Sequence, residues 1–274
     1  MTIGIGVLCS TQPKPYEPRP DALVMISDTM GSTETDSTGD LHKMQFDPEH
    51  QIYAVCANRV ELAAEMLPLI REEFSKMEGP RSHGNIWRAL NLAVWHHRSD
   101  HFKWDILNTQ FSFSGIGLIP EREQDRMIEV WRNYEVPAQL LIGTFDDQGL
   151  ALLYFLGRLE GLDGLVHLME FPGYFAIGVG SYNANFWLNY RRQVLGMNVE
   201  QSALHAYEAS RMASTAPTVN RDIEVLMATA KGGFHFSREV PNPKGSPVSL
   251  PWLVSMAKKY GPRNTGPVGF PSPS

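Results

Sequence analysis

Extended runs in this chain come in hairpin pairs, and the pairs are separated by pairs of helices. Residues 2–10 (TIGIGVLCS) and 21–28 (DALVMISD) are short apolar runs of strand length. LHKMQF (41–46) and QIYAVCAN (51–58) form a second pair around the turn signal DPEH. The period then changes. Residues 60–77 carry apolar side chains at helical spacing, with Pro68 placed to kink or shorten the helix. Asn85 to about Leu107 reads as a second helix. QLLIGTFDDQGLALLYFLG (139–157) is two strands around Asp146-Asp147-Gln148-Gly149, and GYFAIGVG (173–180) is another. Residues 181–195 and 199–214 read as helices, and 221–229 and 233–239 as strands around Lys231-Gly232. Residues 251–260 read as a short helix opening at Pro251. A doubly wound parallel sheet alternates strand and helix singly, so this order excludes it. The expectation is an α+β fold: a four-layer αββα sandwich with two antiparallel sheets.

Charge narrows the function. The 274 residues carry 24 basic and 30 acidic side chains, a formal net charge of −6, which argues against a nucleic-acid partner. No run approaches the ~18 apolar residues of a membrane span. The first residues, MTIGIGVLCST, place no basic residue before their short apolar run, so no signal peptide is expected. Two cysteines, Cys9 and Cys56, cannot build a disulfide framework, and a reducing, cytoplasmic location is expected. Each sits in an apolar strand with no adjacent His and reads as a small core hydrophobe. Of the 19 prolines, four crowd into residues 13–20 and eight into the region after residue 240. This gives a domain over 1–239, with a Pro-rich insertion at 11–20 and a helical insertion at about 80–137. A Pro-rich extension follows over 240–274.

The chemistry starts at Thr2. Removal of Met1 is easy before a small residue, and it would leave a hydroxyl and a free α-amine on one residue. Such an amine titrates near ~7.7 and can take the hydroxyl proton during attack on a carbonyl. Asp28 ends the second strand and Lys43 opens the third, so both can approach the start of the first. A buried Lys beside the nucleophile would lower the hydroxyl and amine pKa values, and an Asp would hold the Lys. In WHHRSDH, His97 and His101 share a helix face, but with no third ligand pattern the segment reads as a solvated face rather than a metal site. Gly4, Gly6, Gly178 and Gly180 lack the full dinucleotide-binding spacing and read as close strand packing.

Together these pieces resemble the proteasome family, the N-terminal-threonine branch of the N-terminal-nucleophile (Ntn) hydrolases. The chain looks like a divergent, bacterial-like member. The resemblance runs over most of residues 2–236. It rests on Thr2 and Gly6, on Ser27-Asp28-Thr29-Met30-Gly31, on Lys43 fifteen residues beyond Asp28, and on Ala57-Asn58 entering a helix. AIGVGSYNANFWL (176–188) and DIEVLMA (222–228) also look like family elements. The resemblance implies catalytic roles for Thr2, Asp28 and Lys43, and an oxyanion donor in the Ala57 N–H. It places Arg59 and Thr29 at the substrate. Val179 stands where active members have a Ser, and residues 215–222 lack their Asp and Ser spacing. The implied function is a threonine peptidase without metal or organic cofactor. It would be a homo-oligomeric ring acting on peptides or unfolded protein, with an ATP-driven unfoldase as partner. A small-amide hydrolase and a non-catalytic scaffold of the same fold are the alternatives.

Overall fold

The computed structural model describes residues 3–13, 19–28, 43–57, 60–101, 125–126, 129, 139–159, 164–216, 219, 222–237, 246 and 249–260, with backbone alone at 60–63, 101, 236–237 and 260. Its strands are β1 (Ile3–Cys9), β2 (Ala22–Asp28), β3 (Met44–Asp47), β4 (Ile52–Ala57), β5 (Gln139–Phe145), β6 (Ala151–Leu156), β7 (Val166–Leu168), β8 (Tyr174–Gly178), β9 (Ile223–Thr229) and β10 (Gly232–Ser237). Its helices are α1 (Val60–Ser75), α2 (His83–His101), α3 (Ser181–Tyr190), α4 (Val199–Ala213) and α5 (Leu250–Tyr260).

The strands form two five-stranded antiparallel sheets. The first has the order β10-β9-β2-β1-β8, and the second is the meander β3-β4-β5-β6-β7. Alternation along each strand divides the core into three layers. Ile3, Ile5 and Val7 of β1 face α3, α4 and α5. Ile52, Ala54 and Cys56 of β4 face α1 and α2. Leu23 and Met25 meet Tyr53, Val55 and Leu141 between the sheets. The expected αββα sandwich is therefore the observed one.

Glycines set how closely the sheets approach. A Cβ at Gly4 would come within 2.5 Å of Val55, and one at Gly6 within 2.7 Å of Leu153. This is the close packing expected at those two positions. Gly180 packs in the same way against Ala213 of α4, where a Cβ would stand 2.7 Å from another. Both cysteines are fully buried, and burial pushes the Cys9 thiol far above its ordinary value.

Three local expectations need correction. The helix α1 continues seven residues past Pro68, whose position is exposed. The strand β7 was not anticipated: it is three residues long, at a sheet edge, too short to show alternation. The WHHRSDH segment is not a uniformly solvated face, because His97 is buried and its Nε2 lies 3.2 Å from Glu65. In the segment after β10, Leu253 of α5 is fully buried in the layer shared with α4. No helix among the described residues is long and apolar enough to cross a membrane.

The α3–α4 layer carries a pH-sensitive group. His205 is buried, and its Nδ1 lies 2.9 Å from Gln193 Oε1. Burial, and after it the positive Arg191, hold the imidazole down at about 4. Folding thus favours the neutral ring. Its contribution is intact above the ordinary value of 6.5 and is lost as pH falls towards about 4. That gap is worth at most about 3 kcal/mol. The expected result is a melting temperature that falls between pH 6.5 and 4, with a shallower slope in His205→Asn; equal slopes would contradict it.

Candidate active site

The site forms where the N-terminal end of β1 meets the C-terminal end of β2. Strand register places Ile3 beside Gly178 of β8. The Ile3 N–H is not spent on a backbone partner in β2; it donates to Asp28 Oδ1 at 3.1 Å. The Lys43 ammonium donates to the same oxygen at 3.0 Å. Asp28 is fully buried and Lys43 is 4% exposed. Lys43 precedes β3 and belongs to the second sheet, where its carbonyl accepts from Cys56 N–H at 3.0 Å. Its side chain therefore crosses from the second sheet to the first. One carboxylate oxygen ties together the first strand, the second strand and the lysine.

Ala57 comes to the same end by another route. It is the last residue of β4, fully buried, and pairs with Gln139 at the start of β5. Gln139 Oε1 accepts from Gly178 N–H at 3.0 Å, across the gap between the sheets. Gly178 has φ of +92°, a region that favours glycine, and leads into the first turn of α3. Ile3, Gly178, Gln139 and Ala57 thus form a continuous path around the site.

The structure brings together three of the residues singled out in the sequence: Asp28, Lys43 and Ala57. Thr2, Thr29 and Arg59 lie outside the described residues. Two further groups belong to the neighbourhood and were not anticipated. Gln139 read only as the polar first residue of an apolar strand. Ser27 is fully buried, and its Oγ has no hydrogen-bond partner among the described residues. It lies on the inter-sheet face next to Asp28, opposite Gly4 and Glu224. Alternation with Leu23 and Met25 shows which face it takes, but nothing in the sequence shows that it lacks a partner.

A cavity of about 510 Å³ lies elsewhere, lined among others by Ser10, Arg19, Asp21, Gln148, Thr229 and Lys231. These residues sit at the opposite ends of β1, β2 and β9, roughly 20 Å from Asp28 at ~3.3 Å per strand residue. The cavity is therefore separate from the Asp28–Lys43 chemistry.

No family model matches the chain, and no curated protein matches it. Among solved structures, it is similar to the Anbu (Gly-1) mutant from Hyphomicrobium sp. strain MC1, with a TM-score of 0.57 and 13% identity over 95% of this chain and 93% of that one. This overturns the narrower resemblance. With no family model or curated relative behind it, a likeness at 13% identity reaches no branch within the fold, so the chain is not placed in the N-terminal-threonine proteasome branch. What the two antiparallel sheets and this likeness do show is the Ntn-hydrolase fold.

Proposed function

We propose that the chain hydrolyses amide bonds in peptides, with Thr2 as nucleophile after removal of Met1. The observation that carries this reading is the shared Asp28 oxygen. Ile3 N is bonded directly to the Thr2 carbonyl carbon, so the donor held at 3.1 Å by Asp28 fixes the backbone two bonds from Thr2 Cα. The same oxygen holds the Lys43 ammonium at 3.0 Å. A buried ion pair contributes little net stability by itself. Its presence at a strand end, beside a residue with a hydroxyl and a releasable α-amine, fits chemistry better than packing.

In the cycle, the Thr2 amine accepts the hydroxyl proton as the hydroxyl oxygen attacks the amide carbonyl. The proton passes to the leaving amine, and an ester to Thr2 remains. Water, deprotonated by the same amine, then cleaves that ester and restores the hydroxyl. Lys43 keeps the amine neutral through its charge, and Asp28 holds Lys43. The N–H of Ala57 stabilises the developing oxyanion. Arg59 and Thr29 contact the substrate in this reading. The proposal extends to a homo-oligomeric ring, fed in the cytoplasm by a separate ATP-driven unfoldase. Only the likeness of fold supports that extension.

The test is intact mass followed by turnover of fluorogenic peptides. The expected mass lacks Met1, and Thr2→Ala should remove activity while leaving the melting curve in place. A retained Met1, or a Thr2→Ala variant of undiminished activity, sinks the nucleophile. Cleavage of small amides but not peptides would instead select the small-amide reading. Val179 favours the non-catalytic reading: it is an exposed apolar side chain in the step leading from β8 into α3.

A further inference from the structure

Three polar side chains outside the Asp28 site are connected in series. Asp47 closes β3, His50 lies in the turn that follows, and Ser75 is the last residue of α1. Lys43 precedes β3, so this cluster stands at the end of the strand away from the Asp28–Lys43 pair. His50 Nδ1 lies 2.9 Å from Asp47 Oδ2, and its Nε2 lies 3.1 Å from Ser75 Oγ. The other carboxylate oxygen, Oδ1, accepts from the Glu49 and His50 N–H groups at 3.1 and 3.3 Å. Arg81 donates to the His50 carbonyl at 2.6 Å, so the backbone that carries the imidazole is held from both sides. Arg71 Nε lies 2.7 Å from Asp47 Oδ2. Burial opposes the charge on Asp47, but the hydrogen bonds from His50 and the Arg71 guanidinium outweigh it and hold the carboxyl below its ordinary value.

Accessibility rises along the series: Asp47 is buried, His50 half-buried and Ser75 exposed. A carboxylate requires a donor, so the neutral imidazole carries its proton on Nδ1 and leaves a lone pair on Nε2. That lone pair faces a hydroxyl at the surface. Nucleophile, base and orienting carboxylate in this relation activate a serine for acyl transfer, whatever their order in the chain.

We propose that Ser75, His50 and Asp47 form a hydrolytic centre of their own, acting on small carboxylic esters. The Ser75 hydroxyl also donates to the Arg71 carbonyl at 2.9 Å, and rotation about Cβ–Oγ alone redirects its proton to Nε2. Oγ then attacks the ester carbonyl while Nε2 takes the proton. The C–O bond to the alcohol breaks, the alcohol leaves with that proton, and an acyl ester on Ser75 remains. Water, deprotonated at Nε2, cleaves this ester, releasing the carboxylic acid and restoring the hydroxyl. Arg71 precedes Ser75 by one turn on the same helix face, where its charge offsets the developing oxyanion. An ester suits an exposed serine, because an alcohol leaves more readily than an amine and demands less transition-state binding. Asp47 is a positioning residue that acts through His50. The centre is independent of Thr2.

The test uses the full chain carrying Thr2→Ala, which removes the other proposed nucleophile. A fluorophosphonate should label this parent, and peptide mapping should place the adduct on Ser75. Adding Ser75→Ala should abolish the labelling and lower hydrolysis of p-nitrophenyl acetate to the buffer rate. Ser75 is exposed, so this variant should melt as its parent does. His50→Gln should slow labelling by about 10²–10⁴-fold, the range for loss of a general base. No adduct, an adduct elsewhere, or a Ser75 adduct formed at an undiminished rate in His50→Gln overturns the proposal. If His50→Gln fails to fold, the position of the adduct and the Ser75→Ala variant decide. Nitrogen NMR of the imidazole separates the part played by Asp47 from a structural one. The proton should sit on Nδ1 in the parent and leave it in Asp47→Asn, with labelling slowed in step. A proton on Nε2 in the parent, or Asp47→Asn labelled at the parent rate, overturns the role given to Asp47.

Discussion

Asp28→Ala is expected to lower the melting temperature by about 10 °C. Among the described residues, the one removed is the group that holds the Lys43 ammonium, which is 4% exposed between two sheets. Removing one partner of a buried ion pair costs about 3–5 kcal/mol, because the remaining charge loses its compensation without regaining water. Each kcal/mol shifts the midpoint of a domain this large by roughly 2–4 °C. The Ile3 N–H loses its acceptor in the same step, which frees the start of β1. The cost belongs to the broken pair rather than to lost packing, and a double-mutant cycle separates the two. Asp28→Ala with Lys43→Met should be more stable than Asp28→Ala alone, since the stranded charge is gone. Additive losses in thermal or urea unfolding would mean that the pair is not coupled. The same cycle tests the Ile3 bond: if a residual destabilisation survives in the double variant, it measures the anchoring of the first strand.

The fold was readable because its signals are local. Two apolar runs in 139–157 around the turn residues Asp146-Asp147-Gln148-Gly149 marked a hairpin, and β5 and β6 fall on those residues. The change to helical spacing after Ala57 marked α1. What local signals could not supply was which strands share a sheet. β1 and β2 are neighbours in sequence and in space, but β9 joins β2 from nearly 200 residues away, and β8 joins β1 from about 170. Half of the site was readable for a different reason. Asp28 and Lys43 each flank a strand end only fifteen residues apart, so local strand signals placed both at one end of the molecule, although their contact runs between the two sheets. Gln139 was not readable. Its partner Gly178 lies 39 residues further on and in the other sheet, so its role exists only once the sheets are stacked. His97 failed for a related reason. The helix pattern shows which residues share a face, but the neighbouring helix decides whether that face sees water, and here Glu65 of α1 meets it.

Lys43→Met should reduce turnover of a peptide substrate by about 10²–10⁴-fold, the range for loss of a positioned acid–base or charge-stabilising group. The size of the loss alone would not distinguish chemistry from misfolding, but the pH profile does. In the proposed mechanism the working form of Thr2 has a neutral amine. There a cation held by Asp28 would favour that neutral form and so depress the amine pKa below the ordinary ~7.7. With Met in its place the amine returns towards that value, so the acid limb of kcat/KM should move to higher pH while residual activity persists on the alkaline side. Lys43→Arg sharpens the test. Arginine keeps a positive charge for Asp28 to hold but cannot release a proton near neutrality. If Lys43 acts through its charge alone, the arginine variant should keep the wild-type acid limb and recover part of the rate. If Lys43 itself carries a proton, the arginine variant should be as slow as the methionine one. A Lys43→Met variant with an unshifted acid limb and near wild-type kcat would remove Lys43 from the mechanism. The Asp28–Lys43 pair would then be a buried structural tie between the two sheets.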